Sequence, residues 1–146
     1  MPCHYKLQKI LEIRIKKKDE QIQVVIKAQE EVNRIELLII KNLDQIKQTT
    51  LEMRSANPMM YEYYDNFIQH LWKKDKEYQE QKQMALIALE REKDILRKCQ
   101  QEVDVVEKHK ENQLEEYKKE EKQKELKEMN EIGSQKAFLN KREREE

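Results

Sequence analysis

The side chains of this sequence that could do chemistry are few, and their spacing does not bring them together. Cys3 and His4 are adjacent, as half of a metal site would be, but no second pair follows at ligand spacing. No serine, cysteine or acid is placed to work with His70 as a general base. With Gly133 as its only glycine, the chain cannot form a Walker loop or a dinucleotide fingerprint. We therefore expect no catalytic residue, no metal, no cofactor and no enzymatic activity.

The composition indicates a class of fold and excludes some partners. Charged residues make up 41% of the 146 residues and hydrophobic residues 37%, which is typical of a coiled coil and not of a globular enzyme. Acidic and basic residues number 30 each, so the basic surplus that nucleic acid or anionic lipid would require is absent. The longest aliphatic run, residues 37–40, is too short to cross a bilayer. We expect a cytoplasmic protein without membrane insertion and without nucleic acid.

One interruption of the helical pattern, at Asn57 and Pro58, predicts the architecture. Pro58 is the only internal proline, and Asn57 before it is suited to cap a helix whose first residue is Pro58. We expect a single coiled-coil domain over residues 1–146, with a first helix at about 5–54, a turn at 55–57, a second helix at about 58–132 and a flexible tail at 133–146. The predicted fold class is all-α: a long antiparallel two-helix coiled-coil hairpin with an overhanging second helix.

Heptad spacing predicts the faces that pack. In the first helix, one apolar row is Leu11, Lys18, Val25, Val32, Ile39, Ile46 and Met53. A second row, four residues later, is Ile15, Ile22, Gln29, Glu36, Leu43 and Thr50. In the second helix, one row is Tyr64, Leu71, Tyr78, Ala85, Glu92, Cys99 and Val106. Its other row is Tyr61, Ile68, Asp75, Lys82, Leu89, Leu96 and Val103. Both rows of the second helix end near Val106.

The position of the turn predicts the register of the hairpin. If the turn is centred at residues 56–57, the numbers of opposed residues add up to about 113. This register places Ile46 against Phe67 and Leu7 against Val106. The first helix then ends where the second helix loses its apolar rows, and the second helix projects alone for roughly 25 residues beyond Val106.

The projecting part of the second helix is rich in charge. We expect ion pairs one helical turn apart to hold it, such as Glu115 with Lys119 and Glu120 with Lys124, although each pair contributes only roughly 0.2–0.5 kcal/mol. Two interpretations stay open for this segment. It is either a frayed, solvated tail or an extension that becomes ordered inside a partner.

An aromatic group follows the turn. Five residues with helical spacing are expected in the core: Tyr61, Tyr64, Phe67, Ile68 and Leu71. Tyr63 and Trp72 fall on other faces of the helix. They are either docking residues for a partner or ordinary surface aromatics.

The amino-terminal residues carry a resemblance. Residues 5–14, YKLQKILEIR, resemble the aromatic-x-Leu-x-x-Val-Leu-x-x-Arg opening of the FliJ family of flagellar export proteins. The length, the break near residue 57, the aromatic segment at 64–71 and the ending Asn130-Glu131-Ile132 are also similar to that family. Asn130 and Lys74 depart from it, because the family has an acid and a small residue at these positions.

The resemblance implies a role in flagellar type III export. FliJ proteins are stalk-like antiparallel coiled coils, similar to the coiled-coil part of the rotary ATPase gamma subunit, and they do not hydrolyse ATP. They bind the hexameric export ATPase, FliI, and promote formation of its ring. They also contact the export gate protein FlhA, so that the proton gradient can drive export. Export chaperones are further partners, and the protein would lie at the cytoplasmic face of the inner membrane through this apparatus.

The resemblance also implies two partner-facing sets of residues. Three positions match the opening motif, although core packing is the preferred interpretation of its two leucines. With the apolar residues of the projecting helix added, the ATPase-facing candidates are Leu7, Leu11, Arg14, Leu114 and Tyr117. Two positions match the family's aromatic-x-x-x-Leu segment after the turn, and three aromatic neighbours complete this set. The gate-facing candidates are Tyr63, Phe67, Leu71, Trp72 and Tyr78.

Other systems would use the same architecture. The alternative to an export stalk is a coiled-coil scaffold or a homodimerising structural protein, in which the apolar seam would form between chains. A stalk protein of a virulence secretion system is included in this alternative, because the physical demands on a stalk are shared.

Overall fold

The protein is a helical hairpin. The computed structural model describes residues 6–145, and within them there are two α-helices and no strand. Helix α1 is Gln8–Arg54, a short 3-10 turn is Pro58–Met60, and helix α2 is Tyr61–Glu145. The two helices pack against each other, which confirms the predicted all-α hairpin. Three residues that figure in the sequence analysis lie outside the described residues: Cys3, His4 and Tyr5.

The described residues form two compact units, each of which pairs a part of α1 with a part of α2. One unit is Ile15–Gln101. The other contains residues 6–14 and 102–145.

The turn has the predicted capping chemistry. Asn57 is extended, with φ −62° and ψ 134°, and its side-chain oxygen accepts the backbone N–H of Met59 at 3.1 Å. Pro58 occupies the first position of the 3-10 turn, where its missing N–H costs nothing. Asn57 therefore caps the 3-10 turn Pro58–Met60, and α2 begins at Tyr61, three residues after its predicted start at Pro58.

Helix α2 continues further than predicted. The sequence analysis ended it at Ile132 and assigned residues 133–146 to a flexible tail, but α2 continues through Gly133 to Glu145. A single glycine costs a helix only about 1 kcal/mol relative to alanine, and no proline follows it to break the backbone pattern. The glycine therefore lies inside a helix and does not end one.

The packed face of α1 combines one predicted row with one that was not predicted. The row that begins at Leu11 is buried or half-buried throughout. The row expected four residues later is wrong in part, since Gln29 and Leu43 are exposed. The second packed row lies three residues after the first: Arg14, Gln21, Ala28, Ile35, Asn42 and Thr49. Its polar members hid it from a search for apolar side chains.

Both predicted rows of α2 face the seam. In the unit Ile15–Gln101, the side chains of Leu71, Leu89 and Cys99 are buried, and in the other unit those of Val103 and Val106 are buried. Tyr61 is an exception, because it is exposed at the start of the helix. Beyond Val106, no residue up to Glu145 is buried. We call residues 107–145 the overhang.

Polar side chains of the unpredicted α1 row bind the backbone of α2. In the unit Ile15–Gln101, Asn42 Nδ2 donates to the Leu71 carbonyl at 2.8 Å, and Gln21 Nε2 donates to the Glu92 carbonyl at 3.0 Å. Both pairs of residue numbers meet the predicted register of about 113, which is therefore confirmed for this unit. These two bonds satisfy polar side chains of the packed row at the alignment that the short turn sets.

Leu89 tests the position of the seam. Its side chain is only 4% exposed, so we expect Leu89→Asp to place an uncompensated charge in the seam and to lower the melting temperature strongly. Tyr63→Ala, at an exposed position of the same helix, should leave melting nearly unchanged. Circular dichroism melts of the two variants measure this difference. A Leu89→Asp variant that melts like the parent would show that the seam is assigned wrongly.

Asn42 tests the contribution of the buried polar bond. We expect Asn42→Ala to lower the free energy of unfolding by about 1–3 kcal/mol, because the bond to Leu71 and the packing around it are lost. The matched control is Asn33→Ala, an exposed asparagine of the same helix, which should change stability by less than about 0.5 kcal/mol. Urea denaturation followed at 222 nm gives both values. Equal effects of the two variants would contradict the role given to Asn42.

Candidate partner-binding surfaces

The opening motif lies mostly against the hairpin's own second helix. Leu11 is buried, Leu7 is half-buried, and Arg14 Nη1 donates to the Glu102 carbonyl at 3.0 Å. The assignment of Leu11 to an ATPase-facing surface is therefore wrong, because its side chain is covered within this unit of the fold. Arg14 is tied to α2, which leaves it with an intramolecular role.

Two exposed isoleucines near the start of α1 were missed by the sequence analysis. Ile10 and Ile13 both present much of their surface to solvent. They fall outside both packed rows of α1, and that mismatch is the signal that could have identified them. Ile10 and Ile13 together form an exposed apolar surface, whereas Leu7 and Leu11 of the opening motif are half-buried and buried.

The overhang exposes apolar side chains along its whole length. Of the two partner-facing candidates in the overhang, Leu114 is exposed and Tyr117 is half-buried. Further exposed apolar residues were left out of that selection, some because they were assigned to a tail: Leu126, Met129, Ile132, Phe138 and Leu139. At the rotation of a standard α-helix, Leu114, Met129, Ile132 and Leu139 lie within an arc of about 80°.

Two further apolar residues of the overhang lie on its other sides. Leu126 and Phe138 are each rotated by about 120° from Leu114, in opposite directions. The overhang therefore carries one apolar stripe and additional apolar side chains around the rest of its circumference.

Ion pairs do not hold the overhang as predicted. Neither Glu115 with Lys119 nor Glu120 with Lys124 forms an ion pair, although all four lie in the part of the chain that the structure describes. Exposed pairs of long side chains gain little over hydration, so these charges stay solvated. One bond links this unit's two helices near the start of the overhang, from Lys110 Nζ to Gln8 Oε1 at 2.9 Å.

Leu71 cannot belong to a gate-facing surface. Its side chain is 2% exposed, and its carbonyl accepts the bond from Asn42. Its selection as a partner-facing residue is therefore wrong. Tyr78 is half-buried, and the Lys74 ammonium lies 6.0 Å from the centre of its ring, at the limit of a cation–π contact.

The exposed aromatic residues after the turn lie on two sides of α2. Tyr63 and Trp72 are exposed as predicted, whereas Phe67, which was expected in the core, is 37% exposed. The ring of Tyr63 meets that of Tyr64 edge-on, with 5.9 Å between centroids. Tyr63 and Phe67 are neighbours on one flank of the seam, but Trp72 is rotated by about 180° from Tyr63. The five gate-facing candidates therefore do not form one surface.

Charged side chains pair both within a helix and between α1 and α2. Arg34 binds Glu31 of its own helix through two bonds, from Nε at 3.0 Å and from Nη2 at 2.7 Å. These hydrogen bonds lower the pKa of the Glu31 carboxyl and raise the pKa of the Arg34 guanidinium. Lys82 and Glu36 form an ion pair between the helices, with 3.6 Å between Nζ and Oε1.

Few side chains of the described residues could take part in catalysis or metal binding. Cys99 is a free cysteine and is buried in the seam, and His70 is exposed. Within residues 6–145, no three histidine, cysteine, aspartate or glutamate side chains are grouped as metal ligands would be. Neither described helix has a segment apolar and long enough to cross a membrane.

Comparison with known proteins gives no match to this chain among family models, curated proteins or solved structures.

Gly133 tests whether the overhang is helical in solution. A Cβ added at Gly133 meets nothing within 4 Å, so Gly133→Ala should stabilise the helix locally by about 1 kcal/mol and raise the dichroism at 222 nm. The matched control is Ala137→Gly, one turn later, which should lower the signal. If neither substitution changes the signal or the amide exchange of residues 126–140, this part of the chain is not helical in solution.

Proposed function

We propose that this chain is a non-enzymatic stalk of the flagellar type III export apparatus, which binds the hexameric export ATPase and links it to the export gate. The observation that carries this proposal is the overhang. Helix α2 has 85 residues and α1 has 47, and α2 has no buried residue beyond Val106. The longer helix thus offers a segment that its own hairpin does not cover.

The overhang suits a partner that surrounds it. Its 39 residues span about 58 Å at the standard helical rise. Its described residues include no buried one, so this segment gains little from tertiary packing and is marginal in water. Its apolar side chains lie on one stripe and, through Leu126 and Phe138, on the other sides as well. A flat partner would cover one side only, whereas the central channel of a ring would cover all of them.

The polar character of the overhang also supports insertion into a channel. Charged residues of both signs separate its apolar side chains, so no large patch of one sign is present. Such a helix contacts the wall of a channel through scattered apolar anchors and stays soluble before it binds. Among the motif residues, Leu11 and Arg14 then support the helix pair from which the overhang extends.

The exposed aromatics after the turn are the proposed gate-facing residues. Tyr63 and Phe67 form one contact on one flank of the seam, and Trp72 offers a separate contact on the other flank. Aromatic side chains with exposed rings are frequent anchors of protein interfaces. Contact with the gate and with export chaperones would hold the chain at the cytoplasmic face of the inner membrane.

The direct test is the ATP hydrolysis rate and oligomeric state of the export ATPase with and without this chain. We expect the full chain to raise both the rate and the fraction of hexamer, because a stalk in the channel stabilises the ring. A truncation after Val106 should abolish both effects, although the seam residues of the hairpin remain. The variant Trp72→Ala is a matched control that should stimulate hydrolysis like the parent.

Two outcomes would contradict the proposal. Stimulation that survives the truncation would show that the overhang is not the binding element. No binding and no stimulation by the full chain would favour the alternative, a coiled-coil scaffold of another system.

A further inference from the structure

The side of α1 that faces away from the seam carries uncovered aliphatic residues. Ile26, Leu37, Ile40 and Leu51 are all exposed, Ile40 to 62%. At the rotation of a standard helix they lie within an arc of about 60°, so they form a single stripe about 37 Å long. Single exposed aliphatic residues are ordinary, but four on one face of a charged helix make that face a candidate for contact with a partner.

These residues are part of a second heptad pattern on α1, on a face that does not pack against α2. Spacings of four and three residues alternate along one face of α1, as they do along the core of a coiled coil. We call this set the outer face: Ile26, Glu30, Asn33, Leu37, Ile40, Asp44, Lys47 and Leu51. All eight side chains are exposed, and all belong to the unit Ile15–Gln101.

The outer face is complementary to itself when it is reversed. Counted outward from the point between residues 38 and 39, its members pair by type. Leu37 corresponds to Ile40, and Ile26 corresponds to Leu51. Between these apolar pairs, two polar pairs are also complementary: Asn33 with Asp44, and Glu30 with Lys47. An amide can donate to a carboxylate, and a carboxylate attracts an ammonium. Each residue of the outer face therefore meets a suitable residue when the face is reversed against itself.

Helix α2 has a comparable pair of exposed residues without this complementarity. Met84 and Ile87 are exposed, Ile87 to 56%. If Met84 and Ile87 are placed where Leu37 and Ile40 lie in the reversed outer face, Glu77 faces Asp94 and Lys73 faces Lys98. Like charges would then meet in two of the pairs. On α2 the same spacing gives one complementary pair, Glu80 with Arg91, beside two like-charge pairs, whereas all four pairs of the outer face of α1 are complementary.

We propose that the outer face binds the same face of a second copy of this chain, in an antiparallel dimer with two-fold symmetry. A two-fold contact brings one patch against itself, with each residue facing the counterpart described above. The aliphatic pairs supply the stabilisation, and the Glu30 and Lys47 pairs select the register. Arg34 lies beside the outer face and is already bound to Glu31, so it brings little unpaired charge to the contact.

The dimer leaves the seam and the overhang of each chain in place. It therefore differs from a homodimer in which α1 of one chain packs on α2 of another. It also stands apart from the stalk proposal, since neither the residues beyond Val106 nor the aromatics after the turn take part.

The mass of the full chain in solution tests this contact. Sedimentation equilibrium over a range of concentrations should show association from 18.0 kDa to twice that mass. We expect Ile40→Glu to weaken the dimer at least tenfold, because it places two carboxylates at the centre of the apolar contact. The matched control is Ile87→Glu, which introduces the same charge at a similarly exposed position of α2 and should leave the dissociation constant unchanged.

A charge exchange tests the register. Glu30→Lys should weaken the dimer, because lysine would then face Lys47 of the other copy twice. The double variant Glu30→Lys with Lys47→Glu should restore the parent's dissociation constant. Circular dichroism checks that each variant keeps the hairpin.

Three results would overturn the proposal. The first is a parent chain that remains monomeric at every concentration. The second is an equal loss of dimer in Ile40→Glu and Ile87→Glu. The third is a double charge variant as weak as Glu30→Lys alone, which would exclude this antiparallel register.

Discussion

The structure depends on the seam between α1 and α2, which combines buried aliphatic side chains with a few polar ones that bond to the backbone of α2. Val32, Ile35 and Val103 are the largest fully buried side chains, and burial of such groups supplies the stabilisation. Aliphatic packing alone would tolerate several alignments of two long helices. The short turn at Asn57 and Pro58 limits the alignments within the unit Ile15–Gln101, and the bond from Asn42 to the Leu71 carbonyl satisfies a buried polar group at the alignment observed.

Once the register is set, the difference in helix length has a fixed consequence. Helix α1 is 47 residues long and α2 is 85, so α2 has residues that α1 cannot cover. The sequence of α2 agrees with this geometry, since its buried rows stop at Val106 and its exposed apolar residues become sparse and spread around the helix. The fold thus combines a covered seam with an uncovered helix, and the proposed partner contact lies on the uncovered part.

Much of this fold could be predicted from the sequence, because the strongest signals are local. Asn57 and Pro58 define the turn, heptad rows define the packed face of α2, and counting outward from the turn gives the register. The second packed row of α1 was missed because Gln21, Asn42 and Thr49 are polar, and a search for apolar residues does not select them. The end of α2 was misplaced because a glycine was treated as a stop, although its cost to a long helix is small.

The candidate surfaces were harder to predict than the fold. Leu11 and Leu71 match partner-facing motifs as well as the core, and their burial confirms the core packing that the spacing favoured for both. The exposed aromatics were recognised individually, but their distribution on two flanks of α2 follows from the helix rotation relative to the seam. A partner-binding surface must lie on the face of a helix that packing leaves exposed. Heptad spacing alone did not identify the exposed face correctly for every residue.

Amide hydrogen exchange, measured by mass spectrometry on the free chain and on the chain mixed with the export ATPase hexamer, tests the central claim most directly. The account predicts slow exchange across the seam in both samples, because its amides open only when the hairpin opens. It predicts fast exchange in residues 107–145 of the free chain and clear protection of the same residues in the mixture. Unchanged exchange of residues 107–145 on addition of the hexamer would contradict the claim that the overhang is the binding element.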